Sequence, residues 1–230
     1  MKTPGLIGGT GWVSTIEYYR RINTLVNEKL GGLDAAKLIL YSLNFGDIDR
    51  ADFEKNPEAI WSLIYEAATG LQKAGADCLM LCANTPHMFA DRLAEEIKLP
   101  LIHIGEATAA TIKAQGLERV VLLGTKYTME MDFYRDKLRA SGIDMMVPDK
   151  PDREIIHGAI INELLKDVFR DETKKKFLDI ITKMESQGAQ GVVLGCTEIP
   201  LLIAPEALDI PVFNTLEIHA QAAVDFAQGG

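Results

Sequence analysis

Residues Gly75–Thr85 have the sequence GADCLMLCANT, and residues Gly188–Glu198 have the sequence GAQGVVLGCTE. The two stretches align without a gap. In each, an apolar run with the length of a strand follows a glycine and ends at polar residues, which is typical of a buried strand that leads into a loop. They lie about half a chain apart, which is the spacing expected of two copies of one structural unit.

Two further pairs of segments repeat in the same order and at similar offsets. Residues 6–10 (LIGGT) resemble residues 122–125 (LLGT), and residues 99–106 (LPLIHIGE) match residues 210–217 (IPVFNTLE). Ordinary α/β strands could produce any single match by chance, but three matches in one order favour an internal duplication. We therefore expect two similar halves.

Short apolar runs alternate with helical patterns along the chain, which predicts an α/β fold. We expect two pseudo-symmetric domains, each with a parallel sheet covered by helices on both faces. The first comprises residues 1–98, completed by residues 207–230, and the second comprises residues 99–206. The main predicted strands cover residues 5–8, 37–43, 77–82, 101–104, 119–123, 143–147, 191–194 and 212–213. The main predicted helices begin at Ser14, with Glu17 in a capping box, and at Asn56–Pro57, or cover residues 129–140, 153–169 and 172–187.

Composition and charge argue against several classes of protein. The 230 residues include 24 basic and 33 acidic side chains, and the net charge of −9 without a basic run argues against nucleic acid as a partner. No stretch approaches the ~20 apolar residues of a membrane span, and the first residues lack the apolar core of a signal peptide. The three cysteines, Cys78, Cys82 and Cys196, are too few for a disulfide framework. We therefore expect a cytoplasmic protein with free thiols and no membrane partner.

Polar residues follow the predicted strands at the edge where parallel sheets bind ligands. Asn84-Thr85 follows one repeat and Thr197-Glu198 the other, while the turns at Gly9-Thr10 and Gly124-Thr125 occupy equivalent strand ends. Backbone N–H groups at such turns and helix starts favour carboxylates. If the two copies face each other, these four turns predict a small polar pocket in the cleft between the domains.

Cys196 stands in the middle of these polar residues, directly after its strand. A thiol near a helix N-terminus has a lowered pKa and can serve as a base or nucleophile. A packed core thiol is the ordinary alternative. Because Cys196 follows the strand rather than lying in it, a functional role is favoured, whereas Cys78, deeper in its own strand, is expected to be core.

Five segments together resemble the aspartate/glutamate racemase family over nearly the whole chain. They are residues Gly8–Trp12, Ser14–Tyr19, Asn84–His87, Leu123–Met129 and Gly195–Glu198. The resemblance implies a two-domain fold and racemisation of an acidic amino acid, aspartate or glutamate, without pyridoxal phosphate or a metal. Family members use two thiols on opposite faces of Cα, one of which removes the proton while the other delivers one. Carried over to this chain, the resemblance implies Cys196 as a thiol base and a carboxylate-binding set made of Gly9, Thr10, Asn84, Thr85, Thr125 and Thr197.

The first motif departs from the family pattern. The family places Cys, or Thr in some members, immediately before Asn-Thr, whereas this chain has Ala83 there and Cys82 one residue earlier. In the internal repeat, Cys196 aligns with Ala83, and Gly195 aligns with Cys82. Because successive strand side chains point to opposite faces, Cys82 is expected to be packed rather than to be a second base, unless the strand end turns. Ala83 is then expected to line the substrate site.

The remaining candidates carry less specific signals. His87 either supports the turn or merely begins a helix, and Arg50 is either a carboxylate ligand in a loop or a surface residue. Lys166, His103, His157 and His219 are expected to be structural or exposed to solvent. Cys82 and His87 lack further ligands at zinc-like spacing, and Gly8–Gly11 does not fit the dinucleotide fingerprint, so neither a metal nor a nucleotide cofactor is expected.

Three functions stay open on the sequence. The first is a racemase of aspartate or glutamate. The second is a single-cysteine relative with altered chemistry, such as a decarboxylase in which Tyr127 assists. The third is a non-catalytic binder of acidic amino acids. A homodimer is the default assembly.

Overall fold

The computed structural model describes residues 1–204, 206 and 208–229. The chain divides into two compact units: unit 1 comprises Met1–His103 and His219–Gly230, and unit 2 comprises Ile104–Ile218. The sequence predicts domain bounds at residues 98–99 and 206–207. Ala207 and Gly230, the bounds expected for the returning segment, lie outside the described residues. None of the described helices is long and apolar enough to cross a membrane.

Unit 1 contains a sheet of three parallel strands in the order β2-β1-β3. A single parallel bridge between Leu79 and Leu101 extends it beyond β3. Its elements are β1 (Pro4–Gly8), α1 (Trp12–Leu30), β2 (Ile39–Ser42), α2 (Phe45–Phe53), α3 (Pro57–Lys73), β3 (Cys78–Leu81), a 3-10 helix (Thr85–Phe89) and α4 (Ala90–Glu96).

Unit 2 contains a sheet of four parallel strands in the order β5-β4-β6-β7. Its elements are α5 (Ile104–Ala114), β4 (Arg119–Gly124), α6 (Lys126–Glu130), α7 (Asp132–Ala140), β5 (Asp144–Met146), α8 (Lys150–Asn162), a 3-10 helix (Leu164–Lys166), α9 (Asp171–Ser186), β6 (Val192–Gly195), α10 (Ile199–Leu202) and β7 (Val212–Asn214). The last helix, α11 (Thr215–Gln228), begins in unit 2 and continues into unit 1.

The strand registers agree with the internal repeat. Ile7 pairs with Leu81 in unit 1, and Leu123 pairs with Leu194 in unit 2. The sequence alignments make these two pairs equivalent. Each sheet thus has its first strand at its centre, beside the strand that leads into a polar motif, and the predicted α/β class with two parallel sheets is confirmed.

Local sequence explains how these elements form and pack. Pro57 occupies the first turn of α3, and the Asn56 side chain accepts the N–H of Ala59 (3.1 Å), so the helix starts where the sequence predicts. The apolar face of α3, including Ile64 and Leu71, packs on the unit 1 sheet in the same buried cluster as Ile7, Leu79 and Leu81. Unit 2 has its own buried cluster, formed by residues such as Val121, Leu123, Ile160, Phe177 and Val193.

The predicted capping box is wrong. Helix α1 begins at Trp12 with Gly11 as its N-cap, so Ser14 lies inside the first turn. The Ser14 hydroxyl donates to the Gly11 carbonyl (3.1 Å), and Glu17 accepts from Arg20 (2.8 Å) instead of returning to the cap.

Three element lengths also differ from the prediction. Residues 101–104 form only the bridge at Leu101, because α5 already begins at Ile104. The predicted helix over residues 129–140 is interrupted at Met131, whose extended backbone (ψ 158°) separates α6 from α7. The helix predicted over residues 153–169 ends at Asn162 and is followed by the short 3-10 helix.

The turn after β1 is constrained by close packing. Gly9 has φ of 79°, and a Cβ atom placed on it would lie 2.0 Å from the carbonyl oxygen of Leu43. The adjacent N–H of Leu43 donates to the Gly8 carbonyl (2.9 Å), and the N–H of Gly9 donates to Thr15 Oγ1 (2.9 Å). A side chain at Gly9 would therefore push the turn away from the end of β2.

Replacing Gly9 by alanine is expected to destabilise the protein more than replacing Gly31. Both glycines have φ of 79°, but nothing lies within 4 Å of a Cβ atom at Gly31. The left-handed backbone costs an alanine about 1–2 kcal/mol at either site, and overpacking against Leu43 adds about 1–3 kcal/mol at Gly9 alone. Urea unfolding of Gly9→Ala and Gly31→Ala measures the difference. Equal losses in the free energy of unfolding would show that the turn is not constrained by packing.

Candidate active site

In unit 1, the predicted substrate residues emerge together at the carboxyl edge of the sheet. Gly9 and Thr10 follow β1, while Ala83, Asn84 and Thr85 follow the neighbouring strand β3. Thr10 is buried, and its Oγ1 has no hydrogen-bond partner among the described residues. A buried hydroxyl of this kind is suited to receive a ligand at the start of α1.

Cys82 and Ala83 occupy different environments although they are neighbours. Cys82 is fully buried, whereas Ala83 is half-buried. Burial raises the pKa of the Cys82 thiol, because the thiolate would lose its hydration. Cys78, in β3 itself, is also fully buried, and burial raises its pKa to about 11. The full burial of Cys82 and the partial burial of Ala83 are therefore consistent with side chains that alternate between the two faces of the strand, as the register of the repeat implies.

In unit 2, Cys196 is joined to a buried carboxylate. The residues Cys196, Thr197 and Glu198 lie between β6 and α10. The Cys196 thiol donates to Glu198 Oε2 (3.1 Å), and the Thr197 hydroxyl donates to the same oxygen (3.0 Å). Glu198 is only 2% exposed, and its other oxygen, Oε1, has no hydrogen-bond partner in the described part of the chain.

The expected lowering of the Cys196 pKa is wrong for this arrangement. Burial raises the pKa of the thiol well above its usual value, and the negative charge of Glu198 raises it further. The backbone N–H groups of Glu198 and Ile199 act in the opposite direction but do not outweigh burial. Helix α10 has only four residues, so it contributes little helix dipole. The raised pKa favours the protonated thiol of Cys196, which donates to Glu198 Oε2.

Glu198 is the residue whose role the sequence motifs leave unassigned. It is visible in the sequence only as the last residue of Gly-Cys-Thr-Glu. A glutamate two residues after a cysteine is ordinarily exposed, and only the fold places its carboxylate on the thiol. The one sequence signal is that an acidic residue stands three positions after a buried strand and directly before a proline helix start at Ile199-Pro200.

The other predicted residues lie on well-defined elements. Thr125 caps α6, where its hydroxyl accepts the N–H of Thr128 (3.4 Å). Arg50 lies on helix α2 and not in a loop, is exposed, and pairs with Asp47 on the same helix. Lys166 is exposed at the end of a 3-10 helix.

The four histidines lie in buried or partly buried positions. His87, His103 and His219 are all buried in unit 1, and the Nδ1–H of His87 donates to the carbonyl of Ala83 (2.9 Å). His157 is half-buried in unit 2, where its Nδ1 accepts from the N–H of Lys126 (3.4 Å).

Comparison with known proteins agrees with these motifs. A protein of known crystal structure from Yersinia pestis, assigned as an Asp/Glu racemase, is 44% identical to this chain. The two superpose with a TM-score of 0.91 over 99% of this chain and 100% of that one. An aspartate racemase homologue from Pyrococcus horikoshii is 35% identical, with a TM-score of 0.85 over 99% and 100% of the two chains. The broad specificity amino-acid racemase of Bacillus subtilis is 22% identical over 228 residues, 96% of either chain.

The sequence profile described as Asp/Glu/Hydantoin racemase matches residues 7–223. That span contains both sheets except residues 4–6 of β1, and it contains the segments Cys82–Thr85 and Gly195–Glu198. The chain is therefore a member of the Asp/Glu/Hydantoin racemase family, as its motifs predict.

Proposed function

We propose that the protein is an amino-acid racemase that transfers a proton at Cα of an acidic amino acid, with Cys196 as its thiol base. The observation that carries the proposal is the hydrogen bond from the Cys196 thiol to the buried carboxylate of Glu198 (3.1 Å). A thiol with a raised pKa is a poor base until its proton is taken, and a carboxylate at hydrogen-bond distance can take it.

The proposed proton transfers balance as follows. Glu198 Oε2 accepts the proton of Cys196, and the thiolate then takes the α-proton of the substrate. The electron pair of the Cα–H bond moves into the α-carboxylate, where N–H and O–H donors stabilise the added charge. Return of the proton from Cys196 restores the starting enantiomer, whereas a proton delivered on the other face gives its mirror image.

Proton delivery on the face of Cα opposite Cys196 is the difficult step of this chemistry. Ala83, which takes the place of the family's other thiol, has no proton to give. Cys82 is the nearest thiol in sequence but is fully buried, and burial raises its pKa. We therefore propose that proton exchange on the face of Cys196 is faster than racemisation, with Cys82 or water as the slow donor.

We propose aspartate or glutamate as the substrate, bound through its carboxylates by hydrogen-bond donors. The proposed set is Gly9, Thr10, Ala83, Asn84, Thr85, Thr125 and Thr197, with Arg50 as a further carboxylate ligand. Relatives described as acting on aspartate support an acidic substrate, while the Bacillus subtilis relative has broad specificity.

One alternative draws support from Ala83. A single thiol is sufficient for a decarboxylase, because loss of carbon dioxide creates the carbanion and one thiol protonates it. A protein that binds acidic amino acids without turning them over would also tolerate alanine at this position. An assay panel of racemisation, decarboxylation and binding separates the three functions.

We further propose that the enzyme works without pyridoxal phosphate or a metal, as the family resemblance implies. We propose a cytoplasmic location, which suits three free thiols, and a homodimeric assembly, the commonest symmetric state of soluble enzymes.

Dicarboxylic amino acids are expected to raise the melting temperature more than alanine or leucine. A ligand that binds only the folded protein stabilises it by about 2.7 kcal/mol at 100 times its dissociation constant. Thermal-shift titrations with aspartate, glutamate, alanine and leucine measure this preference. Equal stabilisation by leucine and aspartate would contradict a site selective for two carboxylates.

Replacing Glu198 by glutamine is expected to have two opposite effects on the site. Removing the negative charge lowers the pKa of Cys196, so iodoacetamide should alkylate the thiol faster at a given pH. The amide can no longer accept the thiol proton, so α-proton exchange should slow by about 100-fold. The matched control is Glu163→Gln. Glu163 is another, partly buried glutamate of unit 2, and its side chain accepts the hydroxyl of Thr173 (2.6 Å). Unchanged exchange in Glu198→Gln would exclude Glu198 as the proton acceptor.

Installing a thiol by Ala83→Cys is expected to raise racemisation relative to exchange, because the second face then has a proton donor. Proton NMR in deuterated water measures α-proton exchange from each enantiomer, and chiral chromatography of the same samples measures racemisation. Ala83→Ser provides a control of similar size without a thiol. In a protein that keeps Ala83, Cys196→Ser should abolish α-proton exchange, whereas Cys82→Ser should leave it intact. Equal loss of racemisation in Cys82→Ser and Cys196→Ser would mean that Cys82 reaches the substrate.

A further inference from the structure

Three of the chain's four histidines form one cluster in unit 1. The ring of His87 lies 4.6 Å from the ring of His103 and 5.7 Å from the ring of His219, measured between centroids. Tyr18 on α1 closes the cluster with an edge contact to His219 at 5.7 Å. All four side chains are buried, so a core position of this unit is filled by polar rings instead of apolar ones.

Backbone carbonyls determine which nitrogen of two of these rings carries the proton. The Nδ1–H of His87 donates to the Ala83 carbonyl (2.9 Å), because a carbonyl only accepts. The Nε2–H of His219 donates to the Ile102 carbonyl (2.8 Å), which leaves Nδ1 to accept the Tyr18 hydroxyl (2.9 Å). His87 and His219 are therefore held in opposite neutral tautomers.

The rings of His87 and His219 stay uncharged because each additional proton would be buried beside another imidazole. Burial lowers the pKa of His87 well below its usual value, and the neighbouring His103 and His219 lower it further. Burial also lowers the pKa of His219 to about 4. Among the described residues, no three His, Cys, Asp or Glu side chains are arranged to hold a metal ion, so the cluster is a hydrogen-bonded network.

The geometry points to His87 as a positioning residue for the substrate-binding turn Ala83–Thr85, acting through the carbonyl of Ala83. This inference rests on the proposed function, in which that turn binds the substrate carboxylate. His87 is hydrogen-bonded to the turn at two places, since its backbone N–H also donates to the carbonyl of Asn84 (3.1 Å). The Ala83 carbonyl fixes the tautomer of His87, and the rings of His103 and His219 pack against its ring.

The role of His87 depends on a proton on Nδ1, which makes it testable apart from catalysis. Long-range ¹H–¹⁵N NMR spectra at pH 7 and 5.5 distinguish the two neutral tautomers from the charged ring. We expect neutral His87 with its proton on Nδ1, and neutral His219 with its proton on Nε2, at both pH values. A neutral His87 with its proton on Nε2 at either pH value would overturn the inference, because Nδ1 could then not donate to the Ala83 carbonyl.

Two substitutions separate positioning from simple packing. His87→Leu fills the space without a donor and should raise KM for aspartate about tenfold, the effect of one lost hydrogen bond. His87→Asn places an N–H near the position of Nδ1, so KM should return close to the wild-type value. The matched control is Tyr134→Phe, which removes a buried hydrogen bond to Thr108 (3.1 Å) in unit 2 and should lower stability without changing KM. Equal KM values in His87→Leu and the wild type would overturn the inference.

Binding measurements keep the two proposals distinguishable. If the wild type neither exchanges nor racemises any acidic amino acid, the proposed function fails, while thermal-shift binding of aspartate still compares His87→Leu with His87→Asn. Weaker binding in His87→Leu alone supports the positioning role. If the wild type is active and both variants bind and turn over aspartate as it does, the positioning role fails and the proposed function stands. Should His87→Leu not fold, His87→Asn and the NMR tautomers decide the question.

Discussion

Parallel pairing between the central strand of each sheet and the strand beside it determines where every candidate residue lies. In unit 2, Gly124 pairs with Gly195, and a Cβ atom on Gly124 would lie 2.8 Å from the Gly195 carbonyl oxygen. This close approach leaves no room for a side chain, and the next residues along the two strands are Thr125 and Cys196. In unit 1, the same pairing delivers Gly9 and Ala83 to one edge of the sheet. The candidate site is thus a consequence of strand register, because parallel strands end together.

Register also explains why two cysteines near strand ends have different properties. The side chain of Cys82 lies on the buried side of its strand end and is not exposed to solvent. Cys196 is one position further along the equivalent strand, and there its thiol contacts Glu198. A shift of one residue exchanges the two faces of a strand, so the presence of a cysteine near the motif does not suffice for a second base.

The two units handle buried polar groups in contrasting ways. Unit 2 buries a carboxylate and satisfies one of its oxygens with the hydroxyl of Thr197 and the thiol of Cys196. Unit 1 buries three imidazoles, and the pKa values of His87 and His219 are lowered while their ring N–H groups donate to backbone carbonyls. Burying a charge costs more free energy than burying a neutral polar group with a hydrogen bond. Under the proposed function, the Glu198 carboxylate takes up the thiol proton, whereas His87 holds the substrate-binding turn in place.

The sequence by itself determined the α/β class, the internal duplication and the strand-end motifs around Asn84 and Cys196, because hydrophobic periodicity, glycine turns and repeats are local signals. It also placed Ala83, and not Cys82, in the position equivalent to Cys196. Tertiary structure decided the contacts between residues that no local pattern relates. His87, His103 and His219 are distant in sequence yet share one cluster, and the pKa of Cys196 is raised by burial and by a folded-back carboxylate, where its place before a helix start predicts the opposite. Both depend on desolvation and on through-space distance, and these quantities exist only once the chain has packed.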